Sequence, residues 1–173
     1  GVTGVQTCAL PILVNAAGPW IDKVLGLLDR SMGVGVDRSK GVHVLTRPLG
    51  GGRVRDAVFA RARSGRHVIV SPWMGKSFIG PTDTPVADGA DAMVEGEDVD
   101  MILDTVNSTM SNTEPPLRAD DVELTTVGVR PLIKRGADES TTAMEDPAAG
   151  TYSASRRHDL YHHIERGVAN VWS

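Results

Sequence analysis

The stretch "DAVFARARSGRHVIVSPWMGKSFIGPTD", residues 56–83, contains three extended apolar runs separated by two short turns. The runs cover residues 56–63, 67–73 and 77–83, and the turn signals between them are Ser64-Gly65 and Met74-Gly75-Lys76. Runs rich in β-branched and aromatic residues and bounded by glycine are typical of strands. A fourth run, "KGVHVLTR" (40–47), precedes them. Four such runs with short turns predict an antiparallel meander.

A helix is predicted downstream of these strands, from about Glu95 to Met110. Its apolar residues fall on one stripe, and acidic residues crowd its positive N-terminal end. The stripe consists of Val99, Ile102, Leu103, Val106 and Met110. Extended runs follow at 121–129, 151–163 and 168–172. The pattern predicts an α+β fold, a mainly antiparallel sheet with flanking helices, in which the stripe packs against the sheet.

A separate unit precedes the sheet at "ILVNAAGPW", residues 12–20. It begins as a short buried strand and turns sharply at Ala16, Ala17 and Gly18. Pro19 suits a first helical position, and apolar residues then recur at helical spacing to about Arg30. The recurring residues are Trp20, Val24, Leu27 and Leu28. This turn either simply connects a strand to a helix or lets a ligand approach its small residues closely.

Composition limits the classes of function. A chain of 173 residues with 40% apolar and 23% charged residues predicts one globular domain with a real core. The net charge of -4 argues against nucleic acid as a partner. One cysteine, Cys8, excludes an intrachain disulfide framework. The uncharged start is too diluted by polar residues and proline for a membrane span and lacks a basic leading segment, so we expect a piece of a longer protein.

Two patches on the predicted strands carry candidate site residues. Lys40 and His43 flank a glycine at a strand start, although a lone histidine is more often structural than catalytic. The run "FIGPTDTP" places Thr82, Asp83 and Thr84 after an apolar strand. These three residues are ordinary turn formers, and they could also hydrogen-bond a hydroxylated ligand.

Cationic side chains form two further candidate patches. In "TTVGVRPLIKR" (125–135), Arg130 follows small and β-branched residues and precedes a proline, and is either a surface arginine or an anion receptor. "SASRRHDLYHH" (153–163) is either a solvated strand face or a site for an acidic substrate. The spacing of its three histidines, His158, His162 and His163, does not match a zinc site, so we predict no metal.

In their order along the chain, these patches resemble the FAD-dependent glycerol-3-phosphate dehydrogenases, within the wider D-amino-acid-oxidase-like flavoproteins. The resemblance extends from about Leu13 to Ser173. It is carried by "VNAAGPW" (14–20), "SKGVHVL" (39–45), "SPWMGKSFIGPTDTP" (71–85), "VNSTM" (106–110), "VGVRPL" (127–132) and "SASRRH" (153–158).

The resemblance implies roles for particular residues. Arg130, in the Gly-x-Arg-Pro motif, would hold the anionic part of the substrate over the flavin, and Arg156 would join it on a phosphate. His43 would be the base that takes the hydroxyl proton, and Thr82 would line the substrate cavity. The residues flanking FAD would be Ala16, Ala17, Gly18 and Trp20. The implied reaction oxidises glycerol 3-phosphate to dihydroxyacetone phosphate, and the electrons pass through FAD to a quinone.

The same resemblance implies a division of the chain. Residues 13–30 would belong to the FAD-binding domain, and residues 31–173 to the substrate-binding domain and the start of the return to the FAD domain. Residues 1–12 match nothing in the pattern and are unassigned, a junction artefact being one hypothesis. The sequence departs from the family in lacking the Gly-x-Gly-x-x-Gly fingerprint and in carrying Pro81 where the family more often has threonine. An amino-acid or amine oxidase of the same fold, and a non-catalytic anion-binding remnant, remain as alternatives. A peripheral location on the cytoplasmic side of the inner membrane is also implied.

Overall fold

A computed structural model of the chain describes residues 13–27, 35–61, 65, 67–87, 92–110, 115–134, 160, 162–163 and 171–172. The described helices are α1 (Ile21–Gly26) and α2 (Gly96–Thr109), with single 3₁₀ turns at Gly18–Trp20, Leu49–Gly52 and Ala119–Asp121. The strands are β1 (Leu13–Val14), β2 (Gly35–Thr46), β3 (Val58–Arg61), β4 (His67–Trp73), β5 (Lys76–Gly80), β6 (Thr84–Val86), β7 (Val122–Lys134), β8 (His162–His163) and β9 (Val171–Trp172).

The main sheet is antiparallel, as the alternating runs predict, and β2 is its centre. Its strand order is β3-β4-β5-β2-β6, and β7 also pairs with β2. The predicted simple meander is therefore wrong in one respect, because β2 lies next to β5 and not next to β3. The connection after β2 explains the difference. Leu49 is buried there and its N–H donates to Ser77 Oγ at 3.0 Å, which fastens the connection to β5 and sends β3 to the far edge.

Helix α2 covers one face of this sheet, as its apolar stripe predicts. Ile102, Leu103 and Val106 are buried in one cluster with the inward-facing residues of β2, β4 and β5, and Val99 and Met110 pack against it. The strand residues are Val42, Val44, Val68, Val70 and Ile79. The helix begins with a capping box, in which Glu95 accepts from the backbone of Asp98 and the Asp98 carboxylate accepts from Glu95 N–H at 3.0 Å.

Strand β7 continues beyond the predicted end at residue 129, through Arg130 and Pro131 to Lys134. Proline lacks a backbone N–H and usually ends a central strand, so the sequence suggests that Arg130 stands at a strand end. In the structure β7 pairs with β2 along its whole length, and Pro131 lies opposite Arg38. Among the described strands β2 alone pairs with β7, and a proline is tolerated in a strand wherever its missing N–H is not needed for the ladder.

The first unit differs from its prediction in burial and length. Leu13 and Val14 form a strand but are 47% and 63% exposed, and in the described part of the chain β9 is the only strand that pairs with them. Helix α1 ends at Gly26, and Leu27 is 84% exposed. Its buried residue is Leu25, which was not on the predicted stripe. The strands β1 and β9 pair in parallel, and β9 pairs with β8.

Candidate functional site

The sheet face opposite α2 brings the predicted site residues of β2 and β7 together. Side chains alternate along a strand, so Val42 and Val44 face the helix while Gly41 and His43 face the other way. In the β2–β7 ladder, Gly41 lies opposite Gly128, and Ser39 lies opposite Arg130. An arginine on β7 can therefore reach across the neighbouring strand on this face.

The Arg130 guanidinium lies over Gly41, where a Cβ atom would be 2.1 Å from Arg130 Nη2. Both terminal nitrogens donate to the Thr82 carbonyl at 3.2 Å, and Nη1 lies 3.8 Å from Asp83 Oδ1. The side chain is 27% exposed. Arg130 is thus neither a freely solvated surface arginine nor fully enclosed, and it can present charge to an anion.

Thr82 and Asp83 form the support beneath Arg130. Thr82 is 1% exposed, and its hydroxyl accepts from Val42 N–H at 2.9 Å, while its own N–H donates to the Val42 carbonyl at 3.0 Å. Asp83 accepts a hydrogen bond from the Ser39 hydroxyl. The Thr82 side chain therefore fixes the turn after β5 to β2, and its carbonyl faces Arg130. Ser39 belongs to this cluster, and sequence reasoning missed it although it immediately precedes Lys40.

His43 is half-buried and stacks on Phe78, with ring centroids 4.8 Å apart and an interplanar angle of 6°. A Cβ at Gly80 would lie 2.6 Å from His43 Cδ2, so the imidazole also covers a glycine. Burial lowers the pKa of His43, and the positive charge of Arg130 lowers it further. A neutral imidazole can accept a proton, which is the ionisation state that a general base requires.

Lys40 does not join His43, although both flank Gly41. It lies on the α2 side of β2, 3% exposed, with its ammonium 2.7 Å from Asp98 Oδ2 and 2.8 Å from Glu95 Oε2. Hydrogen bonds to Asp98 and then Glu95 raise the pKa of Lys40. The strand alternation separates the two residues, because residues 40 and 43 point to opposite faces. Lys40 fastens the helix to the sheet.

The turn predicted to flank FAD is built by Asn15, a residue that the sequence analysis did not single out. Asn15 is 5% exposed, its amide donates to the Ile21 carbonyl at 2.9 Å, and its carbonyl oxygen accepts from Ala17 N–H at 3.3 Å. The available signal was an asparagine at the end of a strand, a typical turn-forming position. Gly18 has a φ of +56°, and in the described part of the chain no atom beyond its neighbours in sequence lies within 4 Å of the place of a Cβ there. The described residues therefore leave the backbone of this turn uncovered at Gly18.

Arg38 joins this turn to the main sheet. Its Nε donates to the Pro19 carbonyl at 2.7 Å, and its Nη2 pairs with Asp22. Arg38 is 8% exposed, so the link is largely shielded from water. Ala16 and Trp20 are exposed beside it, and Trp20 retains 39% of its accessible surface.

Several predicted residues lie outside the described part of the chain. Arg156 and His158 are among them, and the side chains of His162 and His163 are likewise not described. Within the described ranges, no group of three or more potential ligands could hold a metal ion. The described helices include none that is long and apolar enough to cross a membrane.

Comparison with known proteins gives one family for nearly the whole chain. A family model described as FAD dependent oxidoreductase matches residues 1–168. A glycerol-3-phosphate dehydrogenase of Synechocystis is 30% identical over 173 residues, a match covering 95% of this chain and 29% of the relative. The chain therefore spans less than a third of the length of that curated relative.

Two solved structures are similar in fold to this chain. A glycerol-3-phosphate dehydrogenase from Bacillus halodurans, complexed with FAD, superimposes with a TM-score of 0.63 at 36% identity. The superposition covers 70% of this chain and 24% of that one. A glycine oxidase from Geobacillus kaustophilus gives a TM-score of 0.59 at 20% identity, covering 95% of this chain and 35% of that one. The second likeness shows a shared fold alone.

Proposed function

The chain belongs to the FAD-dependent oxidoreductase family, and from that premise we propose that it is an internal part of a glycerol-3-phosphate dehydrogenase. The complete enzyme would oxidise the secondary alcohol of glycerol 3-phosphate to dihydroxyacetone phosphate and pass the electrons to a quinone. The observation that carries the proposal is the Arg130 guanidinium, held over Gly41 on the same sheet face as His43.

Arg130 would bind the substrate phosphate. A guanidinium offers planar, forked donors to an anion, and two arginines satisfy more oxygens of a dianion than one. Arg156 is proposed as the second. Because a carboxylate would suit Arg130 alone as well, the choice of phosphate rests on the matches at 30% and 36% identity to glycerol-3-phosphate dehydrogenases.

His43 would take the hydroxyl proton of the substrate. Burial and then the charge of Arg130 lower its pKa, which favours the neutral imidazole that a general base requires. FAD, when bound, supplies the acceptor for the hydride that leaves the carbinol carbon. The turn at Ala16, Ala17 and Gly18, with Trp20, would flank the cofactor.

The same proposal assigns the parts of the chain to domains. Residues 13–30 would belong to the FAD domain and residues 31–173 to the substrate domain and the return of the chain, with residues 1–12 left unassigned. The parallel pairing of β1 with β9 supports a return to the first unit. Attachment to the cytoplasmic face of a membrane would depend on other parts of the complete enzyme.

The test uses the complete FAD-loaded enzyme, assayed with glycerol 3-phosphate and, separately, with glycine. We expect turnover of the phosphate ester alone. Arg130→Ala and Arg156→Ala should each lower kcat/KM by an amount equivalent to about 2 to 5 kcal/mol, because each removes a charged contact to the anion. The double variant should lose less than the sum if both grip one phosphate.

Arg55→Ala is the matched control, since Arg55 is exposed. It should leave kcat/KM within about twofold of the parent enzyme. Oxidation of glycine in place of glycerol 3-phosphate would contradict the proposed substrate. An Arg130→Ala variant that behaves like Arg55→Ala would remove the anion-binding role.

A further inference from the structure

We infer that Gly41 is a positioning residue, whose bare backbone is the seat on which the Arg130 guanidinium rests. The inference builds on the proposed role of Arg130 as the anion-binding group. A Cβ at Gly41 would lie 2.1 Å from Nη2, 2.6 Å from Cζ and 2.9 Å from Nη1 of Arg130. Ordinary contacts between such atoms are about 3.5 to 4.0 Å. Any larger residue at position 41 therefore displaces the guanidinium by more than about 1 Å.

Thr82 holds the guanidinium from a second side. The Thr82 carbonyl accepts from both terminal nitrogens at 3.2 Å. Thr82 is itself tied to Val42, the residue after Gly41, by hydrogen bonds of 2.9 and 3.0 Å. The acceptor and the surface beneath the guanidinium thus belong to one rigid unit. A displacement of about 1 Å away from that unit would break the two hydrogen bonds, which are already near the long end of their range.

The seat fixes where a bound anion lies relative to His43. Bidentate recognition by a guanidinium depends on direction as well as charge, so moving the fork moves the anion. A misplacement of about 1 Å in a substrate-positioning group can reduce catalysis by about a hundredfold. Gly41 therefore acts through Arg130, on the placement of the substrate, and touches neither the reacting atoms nor the proton.

Gly128 provides a matched control within the same ladder. It lies directly opposite Gly41, and among the described residues no atom beyond its own chain neighbours lies within 4 Å of the place of its Cβ. Both glycines sit in extended strands, where a Cβ does not strain the backbone. At Gly41 the obstacle is the end of a flexible side chain, which can move without disturbing the fold. The fold should therefore tolerate alanine at either position, whereas only Gly41→Ala moves the guanidinium.

The experiment measures Gly41→Ala, Gly128→Ala, Arg130→Ala and the double variant Gly41→Ala/Arg130→Ala in the complete FAD-loaded enzyme. The readouts are KM and kcat for glycerol 3-phosphate, the Kd for inorganic phosphate by calorimetry, and thermal unfolding. Gly41→Ala should raise KM and the phosphate Kd about tenfold or more. Gly128→Ala should change them by less than about twofold. With Arg130 already removed, Gly41→Ala should add nothing.

The outcomes separate this inference from the proposed function. If Arg130→Ala leaves KM and the phosphate Kd unchanged, Arg130 is not the anion-binding group and both ideas fail. If Arg130→Ala weakens binding but Gly41→Ala behaves like Gly128→Ala, the seat alone is overturned. The seat is also overturned if Gly41→Ala raises KM and the phosphate Kd by the same factor in an enzyme that already carries Arg130→Ala. It is likewise overturned if Gly41→Ala unfolds that enzyme. Unfolding seen only when Arg130 is present would support the seat, because it would report the collision itself.

Discussion

The ionisation of His43 is tied to its neighbour Arg130. Burial is the larger cause of its lowered pKa, and the charge of Arg130 adds to it. Arg130→Ala should therefore raise the pKa of His43 toward the ordinary value of about 6.5 without restoring it fully. Arg130→Lys, which keeps the charge, should raise it less. An NMR titration of the His43 ring protons measures this, with Arg55→Ala as the control; an unchanged pKa in Arg130→Ala would contradict the coupling.

The same shift has a consequence for the pH dependence of stability. A histidine with a lowered folded-state pKa binds its proton more readily in the unfolded chain. The contribution of His43 to the free energy of unfolding is therefore fully present above the pKa of about 6.5 in the unfolded chain. It is lost as the pH falls through the lower pKa of the folded protein.

The sequence predicted the positions of some candidate site residues correctly and not those of others. Arg130 and His43 carried enough chemistry and context to be singled out, and the structure puts them on one sheet face. Lys40 stood out equally but lies on the other face, because its role depends on a helix that begins 56 positions later, at Gly96. Asn15 and Ser39 were missed, since a hydrogen bond from a short polar side chain leaves no periodic pattern.

At the scale of elements, Lys40 attaches the N-terminal end of α2 to the sheet through ion pairs with Glu95 and Asp98. Lys40→Met should lower the free energy of unfolding by about 3 kcal/mol, because it leaves the carboxylate of Asp98 buried without its cation. Lys76→Met is the matched control. Lys76 pairs with Glu123, and their side chains are 38% and 46% exposed, so its loss should cost less than about 1 kcal/mol. Urea unfolding of both variants checks the contrast, and equal losses would contradict it.

Element boundaries followed the strength of the local signal. The β4 run and helix α2 were predicted within a residue or so, since each has strong periodicity and a clear turn or cap at its ends. The predicted end of β7 was wrong, because the strand continues through Pro131 to Lys134 in its pairing with β2. A proline ends a strand only where the ladder needs its missing N–H, and that depends on the pairing in the sheet. The pairing of β2 with β5 could not be predicted from the sequence either, since it depends on the contact of the buried Leu49 with Ser77.

At the scale of the whole molecule, the two faces of the sheet carry different kinds of side chain. One face is covered by α2 and contains the completely buried valines of β2 and β4. The other presents Arg130 and His43. Arg38 links this sheet to the turn at Gly18, so the proposed cofactor-flanking unit is attached to β2, the strand that also carries His43.

The isolated 173-residue chain should nevertheless bind FAD weakly or not at all. The sequence lacks the Gly-x-Gly-x-x-Gly turn that would cradle the pyrophosphate. Hydrogen bonds to charged groups are worth about 1.5 to 3 kcal/mol each, so the loss of two weakens binding by about a hundredfold to ten-thousandfold. Gel filtration of the purified chain with added FAD, beside the complete enzyme, measures the flavin retained. A yellow chain after the column would contradict the expectation and would place pyrophosphate binding on this chain's own residues, with the open backbone at Gly18 as the first position to mutate.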